Sequence, residues 1–264
     1  MSTIAIHDPN DPRIAAFRDI RERDLTGREG RFVAEGTVVL RVLSSPASRC
    51  RAEAVLIDSR RVEAHAAILA GFDADVPVYA GSQAVIDAVA GFHLHRGVLA
   101  LGRRPEPLGL ETLGAAQTAV VACGVGNHDN MGGIFRNAAA FGADAVVLDA
   151  SCCDPFYRKA IRVSVGAVLR TPIVAGGAAG DLVERLLEQG FDVVAMTPGA
   201  SEPLHRAERR GRTAILLGSE GPGLPEAVIA RCRAVSIPMS GGFDSLNVAT
   251  TAALALNHFT RDAG

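Results

Sequence analysis

The sequence predicts an α/β protein in two parts, a smaller α/β domain followed by a larger one whose mainly parallel sheet is covered on both faces. Three observations predict it. From Thr118 onward, short apolar runs alternate with helix-like segments, the pattern of strand and crossover-helix repeats. Ahead of them, residues from about 13 to 102 alternate helix-like stretches with shorter strands. Between the two lies GRRPEPLGLETLGAAQ, with two prolines and mixed polarity. The expected division is a domain over 1–103, a linker over 104–117 and a second domain over 118–264.

In the first domain the strand candidates are Ala54 to Ile57, Val76 to Tyr79 and Gly97 to Leu101. In the second they are Ala119 to Cys123, Ala145 to Leu148, Asp192 to Met196, Ala214 to Leu217 and Ala234 to Ile237. A closing helix is expected because Val248, Ala252, Ala255 and Phe259 recur at steps of four, three and four, which makes one apolar stripe. A hydrophobic fraction of 48% over 264 residues is ample for either one core or two.

Composition narrows the function classes. The start, MSTIAIHDPNDPR, lacks a basic flank and a long apolar stretch, and no eighteen apolar residues run together, so a cytoplasmic protein without a membrane span is expected. Five cysteines with no C-x-x-C pair suggest reduced thiols, with neither a zinc site nor a disulfide framework. A formal charge of −2 argues against blanket nucleic-acid binding but leaves room for a local basic patch. Of the 27 basic residues only Lys159 is a lysine. Arginine suits phosphate and base recognition, yet genome composition explains the bias equally well.

Three glycine-rich segments follow apolar strand-like runs and lead into helix-like runs, the place where an α/β protein carries its chemistry. In NHDNMGGIFRNAAAFG (127–142), Asp129 or Asn130 is the expected N-cap of a helix burying Ile134, Ala138 and Phe141, while Arg136 projects from another face. In LLGSEGPGLP (216–225) a strand-to-helix connector would explain the glycines but not the carboxylate of Glu220 at the bend. In IPMSGGFDSLN (237–247), Asp244, Ser245 and Asn247 fall at the cap and first turn of the last helix, and capping needs only one of them. The common nucleotide fingerprints fail: GVGNHD has Asp at the third glycine position, and no P-loop or nucleophile elbow occurs.

In order and wording these segments resemble the SpoU (TrmH) family of RNA ribose 2′-O-methyltransferases, within the SPOUT superfamily. The match runs from about Thr118 to Phe259 and includes N-x-x-N-x-G-x-I-x-R-x-A-x-x-F-G, G-S-E-x-x-G-L and I-P-M-x-G-x-x-x-S-L-N-V. DPFYRKAIRVSVGA (154–167) also resembles a family segment, and NVAT at 247–250 departs from the N-V-S-V of many relatives. Through RFVAEG and HRGVLALG the first domain is similar to the family's L30e-like substrate-binding domain.

The resemblance implies a deep trefoil knot at the C-terminal end and S-adenosylmethionine as cofactor, held around Leu217, Gly218, Ile237, Met239, Leu246 and Asn247. It implies catalytic roles for Arg136, Asn130, Glu220, Ser245 and Asn247, with no metal, and a homodimer through the C-terminal domain. Arg158, Lys159 and Arg162, at helical spacings, are the expected RNA-binding face beside the site, with Arg21, Arg23, Arg28 and Arg31 a weaker patch. Ribosomal RNA is the expected substrate ahead of transfer RNA. The rivals are a catalytically silent RNA-binding factor of the same fold and a nucleotide-dependent metabolic enzyme.

Overall fold

The computed structural model describes residues 2–18, 29–91, 93–94 and 97–260. They form two compact units. The first comprises Met1–Pro105 with Asp154–Arg170, and the second Glu106–Cys153 with Thr171–Gly264.

The first unit is built on a mixed five-stranded sheet in the order β1-β4-β3-β5-β2. Its strands are β1 (Ile4–Ile6), β2 (Arg31–Glu35), β3 (Arg51–Asp58), β4 (Val78–Gly81) and β5 (Val98–Arg103). Helices α1 (Thr37–Leu43), α2 (Ala66–Leu69) and α3 (Gln83–Ala90) accompany it. Ser82 caps α3 through Val85 N, and Gly91 ends it in the left-handed conformation. Ile6, Phe17, Val33, Leu56, Ile86 and Leu99 form the center of its core.

Helix α5 (Arg158–Val163) belongs to this unit, although the sequence places it inside the second domain. An apolar contact and a backbone bond hold the segment there: the Phe156 ring lies 5.5 Å from that of Phe32, and Arg49 N donates to Leu169 O at 2.8 Å.

The second unit carries a seven-stranded parallel sheet in the order β10-β12-β9-β11-β6-β7-β8. Four of its strands lie where the sequence predicts them within a residue: β6 (Thr118–Ala122), β7 (Ala145–Leu148), β9 (Asp192–Met196) and β11 (Thr213–Leu217). The fifth, β12 (Arg233–Ser236), is also matched within a residue, while β8 (Ile173–Ala175) and β10 (Glu202–Pro203) are short edge strands without a clear apolar run. Alternation divides the sheet residues between faces. Val121, Val147, Val193 and Leu216 join Leu182, Val183 and Leu186 of α6 (Ala179–Glu188) and Val228 of α7 (Glu226–Ile229) in one core. Helices α4 (His128–Ala140) and α8 (Val248–Phe259) pack on each other, α4 also on β7 and α8 on β11.

The expected linker is not one. Leu110 and Leu113, on a short 3-10 helix, are buried in the second unit's core, and Leu108 bonds to Ile173 and Ala175 beside β8. Leucine spacing outweighed the prolines. The stripe of α8 is as expected, with Ala252, Ala255 and Phe259 buried.

Candidate active site

The carboxyl ends of β9, β11 and β12 supply three loops to one cavity of about 410 Å³. This is where parallel α/β sheets present ligand sites. After β11 the chain turns through Gly218 to Leu224, with Ser219 Oγ donating to Gly223 O at 3.2 Å. Gly218 must be glycine: a Cβ there would stand 2.5 Å from Gly223 C and Leu224 N, forcing the turn open. After β12 the chain crosses from the β9 neighborhood to α8, which packs on α4 and β11.

The cavity is lined by Leu217, Gly218, Ile237, Met239, Ser245 and Leu246, together with Asn130, Glu220 and Asn247. All expected cofactor contacts are therefore gathered there. Among the described residues, no backbone N–H from 239 to 246 donates to another backbone group. The cavity wall thus combines apolar Ile237, Met239 and Leu246 with a segment whose main-chain N–H groups are not spent on backbone bonds, a surface suited to a flat heterocycle with polar edges.

Three carboxamide and carboxylate groups close the mouth as a directed chain. Asn247 caps α8, its Oδ1 accepting from Ala249 N at 2.9 Å and Thr250 N at 3.2 Å. That leaves Asn247 Nδ2 as the outward donor, and it reaches Asn130 Oδ1 at 2.7 Å. Asn130 Nδ2 in turn donates to Glu220 Oε1 at 2.6 Å. A helix terminus that needs an acceptor fixes one end of the chain and an acceptor-only carboxylate fixes the other. Burial opposes the charge of Glu220, but hydrogen bonds from Asn130 and from the backbone of Glu220, Gly126 and Asn127 outweigh it and hold the carboxyl below its usual value.

Asn127, rather than Asp129 or Asn130, caps α4: its Oδ1 accepts from Asp129 N at 2.7 Å and Asn130 N at 3.3 Å. This leaves the Asn130 side chain to the site. Asp244 and Ser245 similarly stand before α8 rather than in its first turn, because Asn247 is the cap. Gly133 lets α4 and α8 approach, since a Cβ there would lie 2.6 Å from Ala249 Cβ. Asn137 Nδ2 adds a bond to Ala249 O at 2.7 Å.

Among the described residues, Arg136 and the expected RNA-binding cations do not line the cavity. Arg136 is exposed on α4 and does not line it. Six residues beyond Asn130 at 100° per residue is a turn of 600°, or 120° away from the Asn130 face. Arg158, Lys159 and Arg162 lie on α5 in the first unit, not in the unit that holds the cavity. Arg158 is half-buried with Glu35 at 3.9 Å, while Lys159 and Arg162 are exposed. Arg31 stands between Glu29, at 2.6 Å, and Glu53, at 2.7 Å. Its Nε has no aligned hydrogen bond, so the Glu53 contact is an ion pair only. Arg21, Arg23 and Arg28 lie outside the described residues.

Sequence reasoning missed Met196, Thr197 and Pro198, which line the cavity after β9. Their position at the carboxyl end of a central strand was the available signal. It also missed Asp149, whose Oδ1 accepts from Gly124 N at 3.0 Å and so fixes the turn that leads into α4. No disulfide joins the five cysteines, and no helix among the described residues is long and apolar enough to cross a membrane.

Comparison with known proteins places this geometry. Residues 117–257 match the model of the SpoU rRNA Methylase family. A protein of Mycobacterium tuberculosis described as an uncharacterized tRNA/rRNA methyltransferase is 43% identical over 265 residues, 96% of this chain and 90% of that protein. A solved RNA 2′-O ribose methyltransferase is 27% identical with a TM-score of 0.79, over 98% of this chain and 99% of that one. An AdoMet-bound rRNA methyltransferase from Sinorhizobium meliloti shares the fold, with a TM-score of 0.84 at 22% identity over 98% of each chain.

Proposed function

The chain belongs to the SpoU rRNA methylase family, and from that premise we propose that it methylates a ribose 2′-hydroxyl of structured RNA using S-adenosylmethionine. Ribosomal RNA is the preferred substrate ahead of transfer RNA, in the cytoplasm, with a homodimer formed through the second unit and the chain threaded as a trefoil knot at the cavity. The observation that carries the reading is the meeting of Asn130, Glu220 and Asn247, from three distant segments, at the mouth of one cavity.

The cofactor fits the residues present. Leu217, Gly218, Ile237, Met239 and Leu246 would hold it on apolar side chains and open backbone. When bound, S-adenosylmethionine supplies an electrophilic methyl on a sulfonium that leaves as a neutral thioether. The chain's own groups then have to hold the sugar and manage the hydroxyl proton. Ser245 and Asn247 orient the ribose, and ionized Glu220 holds Asn130 in place. Arg136, a guanidinium cation on α4, is assigned the role of stabilizing the developing alkoxide and the adjacent phosphate, with the hydroxyl proton passing to solvent water. The first unit, read as L30e-like, grips the RNA, with Lys159 and Arg162 as its exposed cations.

One observation favors a silent RNA-binding factor instead: Arg136 does not line the cavity. Calorimetry with S-adenosylmethionine separates the two readings. The enzyme reading expects stoichiometric binding, and an absence of binding favors the silent factor.

A further inference from the structure

One aromatic ring is out of place. Phe243 is 76% exposed, whereas the other described phenylalanines are buried, apart from half-buried Phe141. It stands in the irregular segment that supplies Met239, Ser245, Leu246 and Asn247 to the cavity, so residues on both sides tether it to the rim. Gly241 and Gly242, both in the left-handed conformation at φ +72° and +74°, precede it. Space beside them is open: nothing lies within 4 Å of a Cβ at Gly242, and only the Phe243 ring itself at Gly241.

We propose that Phe243 is a stacking platform for an unpaired nucleobase of the RNA substrate, at or next to the ribose held by Ser245 and Asn247. The inference rests on the function proposed above and adds a substrate requirement: the RNA must be single-stranded at the site. Base stacking on an exposed aromatic is sequence-tolerant and contributes substantially to single-strand affinity. Exposed Asp244, next in the chain, disfavors a phosphate there and leaves the uncharged base as the part of RNA that suits the ring. A second copy of the chain is the less favored occupant. The immediate neighbors of Phe243 are two glycines, an aspartate and a serine, and the exposed Leu246 three residues on lines the cavity assigned to the cofactor, which leaves an apolar protein interface little to extend into.

The chain contains no tryptophan, so Phe243→Trp places a lone fluorescent indole at this point. Single-stranded RNA is expected to quench its emission, and the same sequence as a duplex is not. In parallel, Phe243→Ala should raise KM for unmodified total RNA from a deletion strain about tenfold, the order expected for one lost stack. Its affinity for S-adenosylmethionine and its particle mass by light scattering should be unchanged. An unaltered KM, equal quenching by duplex, or emission that follows protein concentration and falling particle mass instead of RNA would overturn the proposal, the last by making the ring a subunit contact. If the wild-type protein transfers no methyl group to any RNA, the function proposed above fails first and this requirement falls with it. Normal wild-type transfer with an indifferent Phe243→Ala sinks this inference alone.

Discussion

The two places where polar side chains were expected to act differ in how those side chains are partnered. At the cavity of the second unit, Asn130, Glu220 and Asn247 bond to one another over separations of 90 and 117 residues, and what they leave free faces a ligand-sized space. On the first unit, several of the expected phosphate-binding cations are already paired: Arg31 with Glu29 and Glu53, and Arg158 with Glu35. Groups that partner each other form a preorganized site. Cations held by carboxylates have already spent part of their attraction for phosphate. The difference teaches that the cavity is organized by geometry and the proposed RNA surface by net charge, so the two should respond differently to substitution and to salt.

The largest effect that sharpens this contrast is expected at the cavity. Asn130→Ala cuts the chain in the middle, leaving Glu220 without its side-chain donor and Asn247 without its acceptor; transfer should fall by ~10²-fold or more, in the range seen for loss of a preorganized polar group. Single-turnover rates at saturating cofactor check it, and a change under threefold breaks the comparison. Arg136→Ala should abolish most transfer while cofactor affinity by calorimetry stays within about twofold, because Arg136 does not line the cavity. Retained turnover would remove it from the reaction.

Gly218→Ala comes next. The added Cβ meets backbone at 2.5 Å, so the loop must open and cofactor affinity should fall by about tenfold or more, an effect read directly by calorimetry. On the first unit the response should be smaller and of another kind. Arg162→Ala should weaken RNA binding severalfold and lower the slope of log K against log salt by roughly 1, while Arg31→Ala should do less because its partners already neutralize it.

The smallest effect concerns acid. Glu220 has a depressed carboxyl pKa, so its contribution is present in full above its unfolded value of about 4.3 and is lost only as pH falls through the lower folded value. Cofactor binding should therefore hold nearly constant from neutral pH down to that region, and Glu220→Gln should flatten the remaining acid dependence. A loss of binding between pH 5 and 6 that disappears in Glu220→Gln would contradict the direction of this shift.

Much of the second unit was legible in the sequence because its signals are local. Buried parallel strands read as apolar runs, and the α8 stripe repeats at helical spacing. The glycine loops were legible as candidate sites because they carry more polar groups than capping consumes. What stayed hidden was nonlocal. Asn127 took the cap that Asp129 or Asn130 was expected to fill, and no spacing rule separates three adjacent cap formers. Leu110 and Leu113 found a core that a proline-containing segment did not advertise. The pairing of Arg31 with Glu53 depends on two strands that flank β5, a relation invisible along the chain.

The central claim is that the joined loops present a ribose to a methyl donor. Its most direct test is transfer of radiolabeled methyl from S-adenosylmethionine to unmodified RNA, followed by complete alkaline hydrolysis. A 2′-O-methyl group blocks cleavage at its own phosphodiester, so the account predicts label in an alkali-resistant dinucleotide, lost with Asn130→Ala. Label in mononucleotides, carried on a base, would contradict it.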